Sequence, residues 1–306
     1  MSVLLVCPHK DPTDWQRELR QQLPETRIDT FPEVADARAV EYAVTWKHPR
    51  GIFRNYPNLK VVASMGAGVD HITSDPDLPQ NIQITRVVDE QLSADMSVFV
   101  LALILEYLRN LAPYRTTKAW SPKSYARTED TKIGIMGLGV LGTAVGKTLV
   151  KNGFHVSGWS RTPSKNNPIK SFYGEHQLHK FLSESNILVC LLPLTRETEN
   201  ILNKELFAKL PKGAYLINVA RGEHLVEHDL IEMIEKGHLA GASLDVFKKE
   251  PLPQEHPFWK HPKIQVSPHV ASVTNPTSAT AQIADNYHRM KAGKPLKNVI
   301  QKEKGY

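Results

Sequence analysis

The sequence predicts an α/β protein with two Rossmann-like lobes, each built on a doubly wound parallel sheet. Three observations support this class: the chain has 306 residues, apolar strand-like runs alternate with helical segments, and a glycine-rich turn follows the run that starts at Lys132. Strands that are apolar on both faces are typical of parallel sheets covered by helices on both sides. A length near 300 residues suits two ordinary domains.

The second half of the chain shows this alternation most clearly. Hydrophobic periodicity and turn residues predict strands at 132–136, 154–159, 187–192, 214–219, 241–246 and 264–267. Helices are predicted between them, at 175–183, 203–210 and 226–236, and after the glycine turn as far as Asn152 and Gly153. This regular βα order predicts a single sheet for the second half.

The first hundred residues alternate in the same way but less regularly. Strands are predicted at 3–6, 43–46, 59–64 and 82–85, which indicates a smaller α/β lobe. An apolar helix at 93–111 is expected to cross to the larger lobe, and a helix at 276–291 to pack back on the first. The polar segment 112–130 is either a linker or an arm that embraces a partner subunit.

Composition argues against several classes of function. The formal net charge is +6, but the basic residues are scattered, so nucleic-acid binding is not expected. The longest apolar run, 98–105, is too short to span a bilayer and predicts one buried helix, and the N-terminus carries no signal-peptide pattern, so no membrane is expected. Cys7 and Cys190 lie in apolar runs and predict buried free thiols in a reducing, cytoplasmic setting. No His, Cys, Asp or Glu spacing predicts a metal site.

The glycine turn has the pattern and context of a dinucleotide site. Gly137, Gly139 and Gly142 form G-x-G-x-x-G, with Val140 and Leu141 between the last two, after a strand and before a helix. The first glycine permits the turn, the second lets the backbone approach a pyrophosphate, and the third lets helix and strand pack closely. The helix N-terminus adds N–H donors and partial positive charge.

The end of the second strand indicates which dinucleotide is bound. An NAD site usually has Asp or Glu there for the ribose 2′-hydroxyl. This chain has Trp159-Ser160-Arg161-Thr162 instead. Ser160 and Arg161 can bind a 2′-phosphate through charge-assisted hydrogen bonds. We therefore expect NADPH/NADP to be preferred, with NAD as the alternative.

Four polar side chains follow successive predicted strands, where parallel sheets bind ligands. Arg221 interrupts the apolar run LINVA, and an arginine cannot lose its charge, so it requires either solvent or an anion. A substrate carboxylate would satisfy it. His269 can exchange a proton with a carbonyl or hydroxyl group, and Glu250 can hold its second nitrogen. Asp245 is assigned to the nicotinamide carboxamide. His224, His228, His256 and His261 are expected on solvated helices and loops.

The motifs GIMGLGVLG, LINVARG, GASLDVFKKEPLP and SPHVA resemble those of the D-isomer-specific 2-hydroxyacid dehydrogenases. The segments WSR, LLPLTRETENIL and HPFWKHPKIQVSPHVASVT are similar to those of the members that reduce glyoxylate and hydroxypyruvate. The resemblance implies a flavodoxin-like substrate lobe (1–97 and 277–306), an NAD(P)-binding lobe (98–276) and a homodimer. It implies NADPH-dependent reduction of a small 2-oxoacid, glyoxylate to glycolate or hydroxypyruvate to D-glycerate.

The resemblance also implies roles for individual residues. The catalytic residues would be Arg221, Glu250 and His269. The cofactor would contact Gly137, Gly139, Val140, Leu141, Gly142, Ser160, Arg161, Leu192, Pro193, Val219, Ala220 and Asp245. The substrate would contact Trp46, Gly66, Ala67, Gly68 and Arg221, because the turn SMGAGVD can form an anion-binding nest.

Two other readings remain open. One is an NAD-dependent relative with another substrate range, such as a phosphoglycerate, D-lactate or formate dehydrogenase. The missing acid at 159–162 argues against NAD, and Glu250 argues against the formate type, which has Gln there. The other is a nucleotide-sensing binding module without catalysis, which the site residues alone do not exclude.

Overall fold

The computed structural model describes residues 1–163 and 168–301, which divide into two compact units. Unit 1 comprises Met1–Leu92 and the described residues from Val273 onward, and unit 2 comprises Ser93–Ser272. The lobes proposed from the sequence change at 97/98 and 276/277, a few residues later in each case. The end of the second substrate-lobe segment, 302–306, lies outside the described residues.

The strands and helices follow the chain in a βα order. The strands are β1 (Ser2–Val6), β2 (Arg27–Thr30), β3 (Val40–Thr45), β4 (Val61–Ser64), β5 (Gln83–Thr85), β6 (Lys132–Met136), β7 (His155–Ser160), β8 (Lys170–Tyr173), β9 (Ile187–Cys190), β10 (Ala214–Asn218), β11 (Leu239–Leu244) and β12 (Ile264–Val266). The α-helices are α1 (Thr13–Gln22), α2 (Asp70–Thr73), α3 (Glu90–Leu108), α4 (Leu111–Tyr114), α5 (Val140–Lys151), α6 (Gly174–Ser183), α7 (Lys204–Phe207), α8 (Glu227–Glu235) and α9 (Pro276–Lys291).

Each unit contains one parallel sheet, which confirms the predicted fold class. The sheet of unit 1 has the order β2-β1-β3-β4-β5, the flavodoxin-like arrangement. The sheet of unit 2 has the order β12-β11-β10-β9-β6-β7-β8. All strand pairs of both sheets are parallel. The carboxyl ends of neighbouring strands therefore share one edge in each sheet.

The helices pack on these sheets in the expected way. α9 begins at the predicted residue because Asn275 caps it, accepting a hydrogen bond from the amide of Thr277, and Pro276 occupies its first turn. It packs against α1, and its buried residues Ile283 and Tyr287 belong to the core of unit 1. The predicted return of this helix to the first lobe is thus confirmed.

α3 begins in unit 1 and continues in unit 2, and it ends before the left-handed residue Asn110. By length and composition alone this helix could cross a membrane. One face packs into the core of unit 2 through Met96, Val100, Leu103, Ile104 and Leu108. The prediction of a wholly buried helix is wrong for the other face, where the side chain of Val98 is 64 % exposed.

The sequence analysis missed the edge strands β2 and β8. Each has one flank without a neighbour and few buried residues; in β8 only Phe172 is buried. Edge strands need not be apolar on both faces, so the continuous apolar runs that identify central strands are absent. Both cysteines are buried free thiols, as predicted.

Candidate active site

The glycine turn between β6 and α5 forms a cradle that side chains would fill. Gly137 has φ +104°, and a Cβ there would lie 2.6 Å from the carbonyl oxygen of Leu191. A Cβ on Gly142 would lie 1.8 Å from the carbonyl oxygen of Gly137, so only glycine permits this approach. Beside Gly139 a Cβ would meet nothing within 4 Å, and no side chain caps α5. The open space and the uncapped N-terminus together fit a pyrophosphate.

The end of β7 lies beside this turn, because β6 and β7 are paired as far as Met136 and Trp159. Ser160 Oγ donates to the carbonyl oxygen of Thr162, 2.8 Å away. Arg161 Nη1 lies 3.8 Å from Oε2 of Glu197, and both side chains are substantially exposed. A guanidinium at the end of this strand, with no carboxylate in the same segment, fits a 2′-phosphate.

Arg221 follows β10, and its backbone is fixed by buried neighbours. Asn218, which is fully buried, donates from Nδ2 to the carbonyl oxygen of Arg221 at 2.9 Å. His224 is also fully buried, and its Nδ1 accepts from the amide of Arg221 at 3.2 Å. Arg221 Nη1 donates to the carbonyl oxygen of Ala220 at 2.6 Å. The site therefore holds Arg221 through two side chains that have no contact with solvent.

Asp245 follows β11 and is held by the loop that follows β12. It is fully buried, and its carboxylate accepts three hydrogen bonds from the loop after β12. The donors are Ser267 Oγ at 2.6 Å, the amide of Val270 at 3.0 Å and the amide of Ala271 at 2.9 Å. The three donors flank His269 in the sequence, so these hydrogen bonds fix the loop that carries the histidine.

His269 and Glu250 form a direct pair. His269 Nδ1 lies 2.9 Å from Oε2 and 3.0 Å from Oε1 of Glu250. A carboxylate only accepts hydrogen bonds, so Nδ1 carries the proton in this contact and Nε2 points elsewhere. The side chains are 32 % and 20 % exposed, respectively, which leaves the imidazole accessible to a small molecule. His269 has φ +56°, a left-handed conformation that is uncommon outside glycine and is often found at functional sites.

The four predicted residues of unit 2 lie at the ends of three neighbouring strands and are linked through the backbone. The amide of Asp245 donates to the carbonyl oxygen of Asn218 at 3.0 Å. Gly222 packs so closely on the next loop that a Cβ there would lie 2.0 Å from the carbonyl carbon of Phe247. The amide of Phe247 in turn donates to Glu250 at 3.2 Å. Arg221, Asp245, Glu250 and His269 are therefore parts of one connected site.

The predicted substrate residues of unit 1 also follow strand ends. Ser64 ends β4, and its Oγ donates to the carbonyl oxygen of Gly68 at 2.7 Å and accepts from the amide of Gly66 at 3.2 Å. This turn leaves Ala67 and Gly68 half-buried. A Cβ on Gly66 would lie 3.1 Å from Cζ3 of Trp46, so the indole packs directly on the turn. Trp46 and the Gly66–Ala67–Gly68 turn thus form one surface.

The sequence analysis was wrong about His224, which was expected on a solvated loop. Its Nδ1 contacts the backbone of Arg221, and its Nε2 lies 3.3 Å from the carbonyl oxygen of Pro193. Asn218 and Ser267 were also missed. The available signal was position: each lies within three residues of a predicted site residue and at a strand end. By contrast, His228 is 79 % exposed, as expected.

One partly exposed cluster has the composition of a metal site. Ligand atoms of His228, Asp229 and Glu232 lie within 4.8 Å of one another. Glu232, however, accepts hydrogen bonds from Lys204 and Lys236, which lower its pKa to about 2. The two ammonium groups already neutralise the carboxylate that a cation would need, so we assign no metal there.

Comparison with known proteins agrees with this geometry. Residues 101–271 match the family model described as D-isomer specific 2-hydroxyacid dehydrogenase, NAD binding domain. A glyoxylate/hydroxypyruvate reductase A of Photorhabdus laumondii is 40 % identical over the whole of both chains. The chain belongs to the D-isomer specific 2-hydroxyacid dehydrogenase family. Membership confirms the predicted enzyme class, an NAD(P)-dependent oxidoreductase.

Two solved dehydrogenases of this family have closely similar folds. One is the D-isomer specific 2-hydroxyacid dehydrogenase of Xanthobacter autotrophicus in complex with NADPH and MES. It is 37 % identical, with TM-score 0.94, and covers 100 % of this chain and 99 % of its own. The other is the NADPH-dependent glyoxylate/hydroxypyruvate reductase of Sinorhizobium meliloti in complex with NADP and sulfate. It is 35 % identical, with TM-score 0.93, and covers 100 % of both chains.

Proposed function

We propose that this dehydrogenase reduces small 2-oxoacids with NADPH, converting glyoxylate to glycolate and hydroxypyruvate to D-glycerate. The observation that carries the proposal is the His269–Glu250 pair, connected through the backbone to Arg221 at the carboxyl edge of a sheet with a dinucleotide cradle. A proton donor beside a guanidinium is the arrangement that reduction of a 2-oxoacid requires. The names of the relatives above support the same substrates.

The cofactor would be held by groups that already fit it. The amides at the Gly137–Gly142 turn would bind the pyrophosphate, and Ser160 and Arg161 the 2′-phosphate. Leu192, Pro193, Val219 and Ala220 follow the neighbouring strands β9 and β10, and we assign them to the wall beside the nicotinamide. NADP in the two solved relatives supports NADPH over NADH.

The chemistry divides between the cofactor and three side chains. When bound, NADPH supplies the hydride that reduces the keto carbon. His269 delivers a proton from Nε2 to the carbonyl oxygen, because Glu250 holds Nδ1 and fixes the tautomer. Arg221 binds the substrate carboxylate through its planar fork and orients the carbonyl group. A general acid of this kind contributes on the order of 10²–10⁴-fold to the rate.

We assign unit 2 to the dinucleotide and unit 1 to the substrate. The support in unit 1 is the Gly66–Ala67–Gly68 turn, whose backbone amides suit a carboxylate, and the indole of Trp46 against it. Backbone donors of this kind bind anions without a charged side chain. Asp245, although assigned to the carboxamide from the sequence, is better supported as the residue that shapes the His269 loop.

We further propose a homodimer and a cytoplasmic location. Large apolar side chains are exposed along α3 and the segment after it; Leu111 is 46 % exposed and Trp120 is 100 % exposed. Apolar surface of this kind marks interaction sites, and the segment 112–130 was one candidate for a subunit arm. Two buried free thiols fit a reducing compartment. Sedimentation at micromolar concentration tests the dimer, and a Trp120→Ser variant should weaken it.

The deciding experiment follows NADPH absorbance with purified enzyme and a panel of 2-oxoacids. We expect rapid loss of NADPH with glyoxylate and hydroxypyruvate and slower loss of NADH. His269→Ala should lose most turnover while binding NADPH normally, and His155→Ala, on the exposed start of β7, should match wild type. Equal use of NADH would favour an NAD-dependent relative. No turnover with any oxoacid, with nucleotide binding intact, would favour a binding module.

A further inference from the structure

The sheet of unit 1 has a topological switch point, and Lys10 beside it has no part in the proposed chemistry. In the order β2-β1-β3-β4-β5 the connections leave β1 and β3 toward opposite sides. Doubly wound sheets bind ligands outside the carboxyl ends of the strands at such a switch point, and in the flavodoxin-like order it lies between β1 and β3. The residues that follow β1 and β3 are therefore candidates for contact with a ligand.

Lys10 and Trp46 meet at this switch point. Lys10 follows β1 in a turn closed by its own amide, which donates to the carbonyl oxygen of Cys7 at 3.0 Å. Trp46 follows β3, and its amide donates to the carbonyl oxygen of Val6 at 3.0 Å, which aligns the two strand ends. The ammonium of Lys10 lies 4.8 Å from the centre of the Trp46 ring, a cation–π contact. The same indole packs on Gly66 of the proposed carboxylate-binding turn.

The charge around Lys10 favours an additional anion. Lys10 as a residue is exposed, yet desolvation of its ammonium lowers the pKa of Lys10, and the positive charge of Lys47 lowers it further. Among the described residues, no carboxylate forms an ion pair with Lys10, and the adjacent Asp11 accepts hydrogen bonds from Thr13. Lys47 itself has φ +51°, an uncommon left-handed conformation for lysine. A negative group between the two strand ends would offset both effects on Lys10.

We propose that Lys10 determines substrate range by binding a second carboxylate at the far end of the substrate, so that short 2-oxodicarboxylic acids are accepted. The inference rests on the proposed function, because the first carboxylate is the one assigned there to the Gly66–Ala67–Gly68 turn of the same unit. The ammonium donates a hydrogen bond to the distal carboxylate, and the Trp46 ring covers the carbon atoms between the two acid groups. Each group of the substrate then has a matching partner.

The test compares substrates of equal length that differ only in the terminal group. Oxaloacetate ends in a carboxylate and 2-oxobutyrate in a methyl group. Glyoxylate has no carbon beyond its carbonyl carbon. We expect Lys10→Met to lower kcat/KM for freshly dissolved oxaloacetate roughly 10- to 100-fold while changing 2-oxobutyrate and glyoxylate less than about 2-fold. Lys10→Arg should retain most activity on oxaloacetate. Lys60→Met, which removes one charge just before β4 at the opposite edge of the sheet, should match wild type.

Two results would overturn the inference and leave the proposed function intact: wild type that uses oxaloacetate no better than 2-oxobutyrate, or equal losses on both in Lys10→Met. If wild type reduces none of the three acids, the proposed function fails. Calorimetry of D-malate and D-2-hydroxybutyrate then tests whether Lys10 binds the distal carboxylate. Weaker binding of D-malate alone in Lys10→Met would support the site. Equal binding of D-malate by both proteins would refute it.

Discussion

Nδ1 of His224 lies 3.2 Å from the amide nitrogen of Arg221, and Nε2 of the same ring lies 3.3 Å from the carbonyl oxygen of Pro193. Nδ1 also lies 3.2 Å from the carbonyl oxygen of Arg221, and the carbonyl oxygen of Pro193 requires a donor at Nε2. The ring is fully buried and connects the backbone of the proposed substrate-binding arginine with the end of the β9 segment assigned to the cofactor. His224 thus positions Arg221 without reaching the substrate.

Replacement of His224 should weaken binding of the oxoacid more than binding of the cofactor. We expect His224→Ala to raise KM for glyoxylate and lower kcat/KM about 10-fold or more, because Arg221 loses its backbone anchor. His224→Asn, whose side chain can still reach the Arg221 amide, should recover part of the loss. The measurements are steady-state kinetics together with NADPH titration by fluorescence.

His228→Ala is the matched control for His224, since His228 lies four residues later and is 79 % exposed. It should show wild-type kinetics. A uniform loss of oxoacid turnover, NADPH affinity and thermal stability in both His224 variants would assign His224 to folding alone.

Arg161 should control the choice between the two cofactors. Its guanidinium at the end of β7 is the proposed partner of the 2′-phosphate, so Arg161→Ala should raise KM for NADPH roughly 10-fold and leave NADH nearly unchanged. Glu197, 3.8 Å from Nη1 of Arg161, competes with the phosphate for this cation. Glu197→Gln should therefore lower KM for NADPH. A parallel shift of KM for NADH in either variant would contradict this assignment.

The sequence predicted the parts of the fold and site that depend on local patterns. The strand at 132–136 and the helix at 276–291 were predicted with the observed bounds, because apolar runs and caps mark them. Gly137 and Gly142 were identified because only glycine tolerates their backbone contacts. His269 and Glu250 were paired from their positions after neighbouring strands, and the structure brings them within 2.9 Å.

The missed features depend on tertiary packing. His224 resembles its exposed neighbours in the sequence, and only the approach of the Arg221 and Pro193 backbones makes it buried. The hydrogen bonds from Ser267 and Ala271 to Asp245 likewise arise only when the loop after β12 folds over the end of β11. The contact between Lys10 and Trp46 joins residues 36 positions apart and arises from the parallel pairing of β1 and β3.

Asp245 should be a stability determinant as well as a positioning residue. Asp245→Asn replaces one carboxylate oxygen with an NH2 group that cannot accept a hydrogen bond, although three donors face the carboxylate. We expect a loss of roughly 2–4 kcal/mol in the free energy of unfolding and a lower kcat, because the His269 loop shifts. Ser267→Ala removes one of the three donors and should cost about 1 kcal/mol. Chemical denaturation and kinetics measure both, and an Asn variant as stable as wild type would exclude this role.

A buried histidine in unit 1 should make stability depend on pH. His48 donates from Nε2 to Oδ2 of Asp75 at 3.1 Å, and only 1 % of its side chain is exposed. Its Nδ1 is buried without a hydrogen-bond partner in the described part of the chain. Protonation would therefore bury an unsatisfied N–H group, and desolvation lowers the pKa of His48 despite the opposing effect of Asp75. The folded state thus favours neutral His48.

The direction of the pH effect follows from proton binding. Because the pKa of His48 is lower in the folded state than its ordinary value of 6.5, the unfolded chain binds more protons between these two values. The contribution is present above pH 6.5 and is lost as pH falls through the folded-state pKa. The pKa of Asp75 is also lowered: burial raises it, but hydrogen bonds from the amides of Gly51 and Asp77 and from His48 outweigh burial. Asp75 therefore loses its contribution only at more acidic pH.

We expect wild type to lose up to about 1.4 kcal/mol of unfolding free energy through His48 between pH 7.5 and 5.5, the effect of one proton. His48→Gln keeps an amide donor near Asp75 but does not titrate, so its stability should fall less over the same interval. Urea denaturation at the two pH values measures the difference, and His155→Gln, on an exposed strand end, is the control. If wild type and His48→Gln lose the same stability, His48 is not the group that responds to acid.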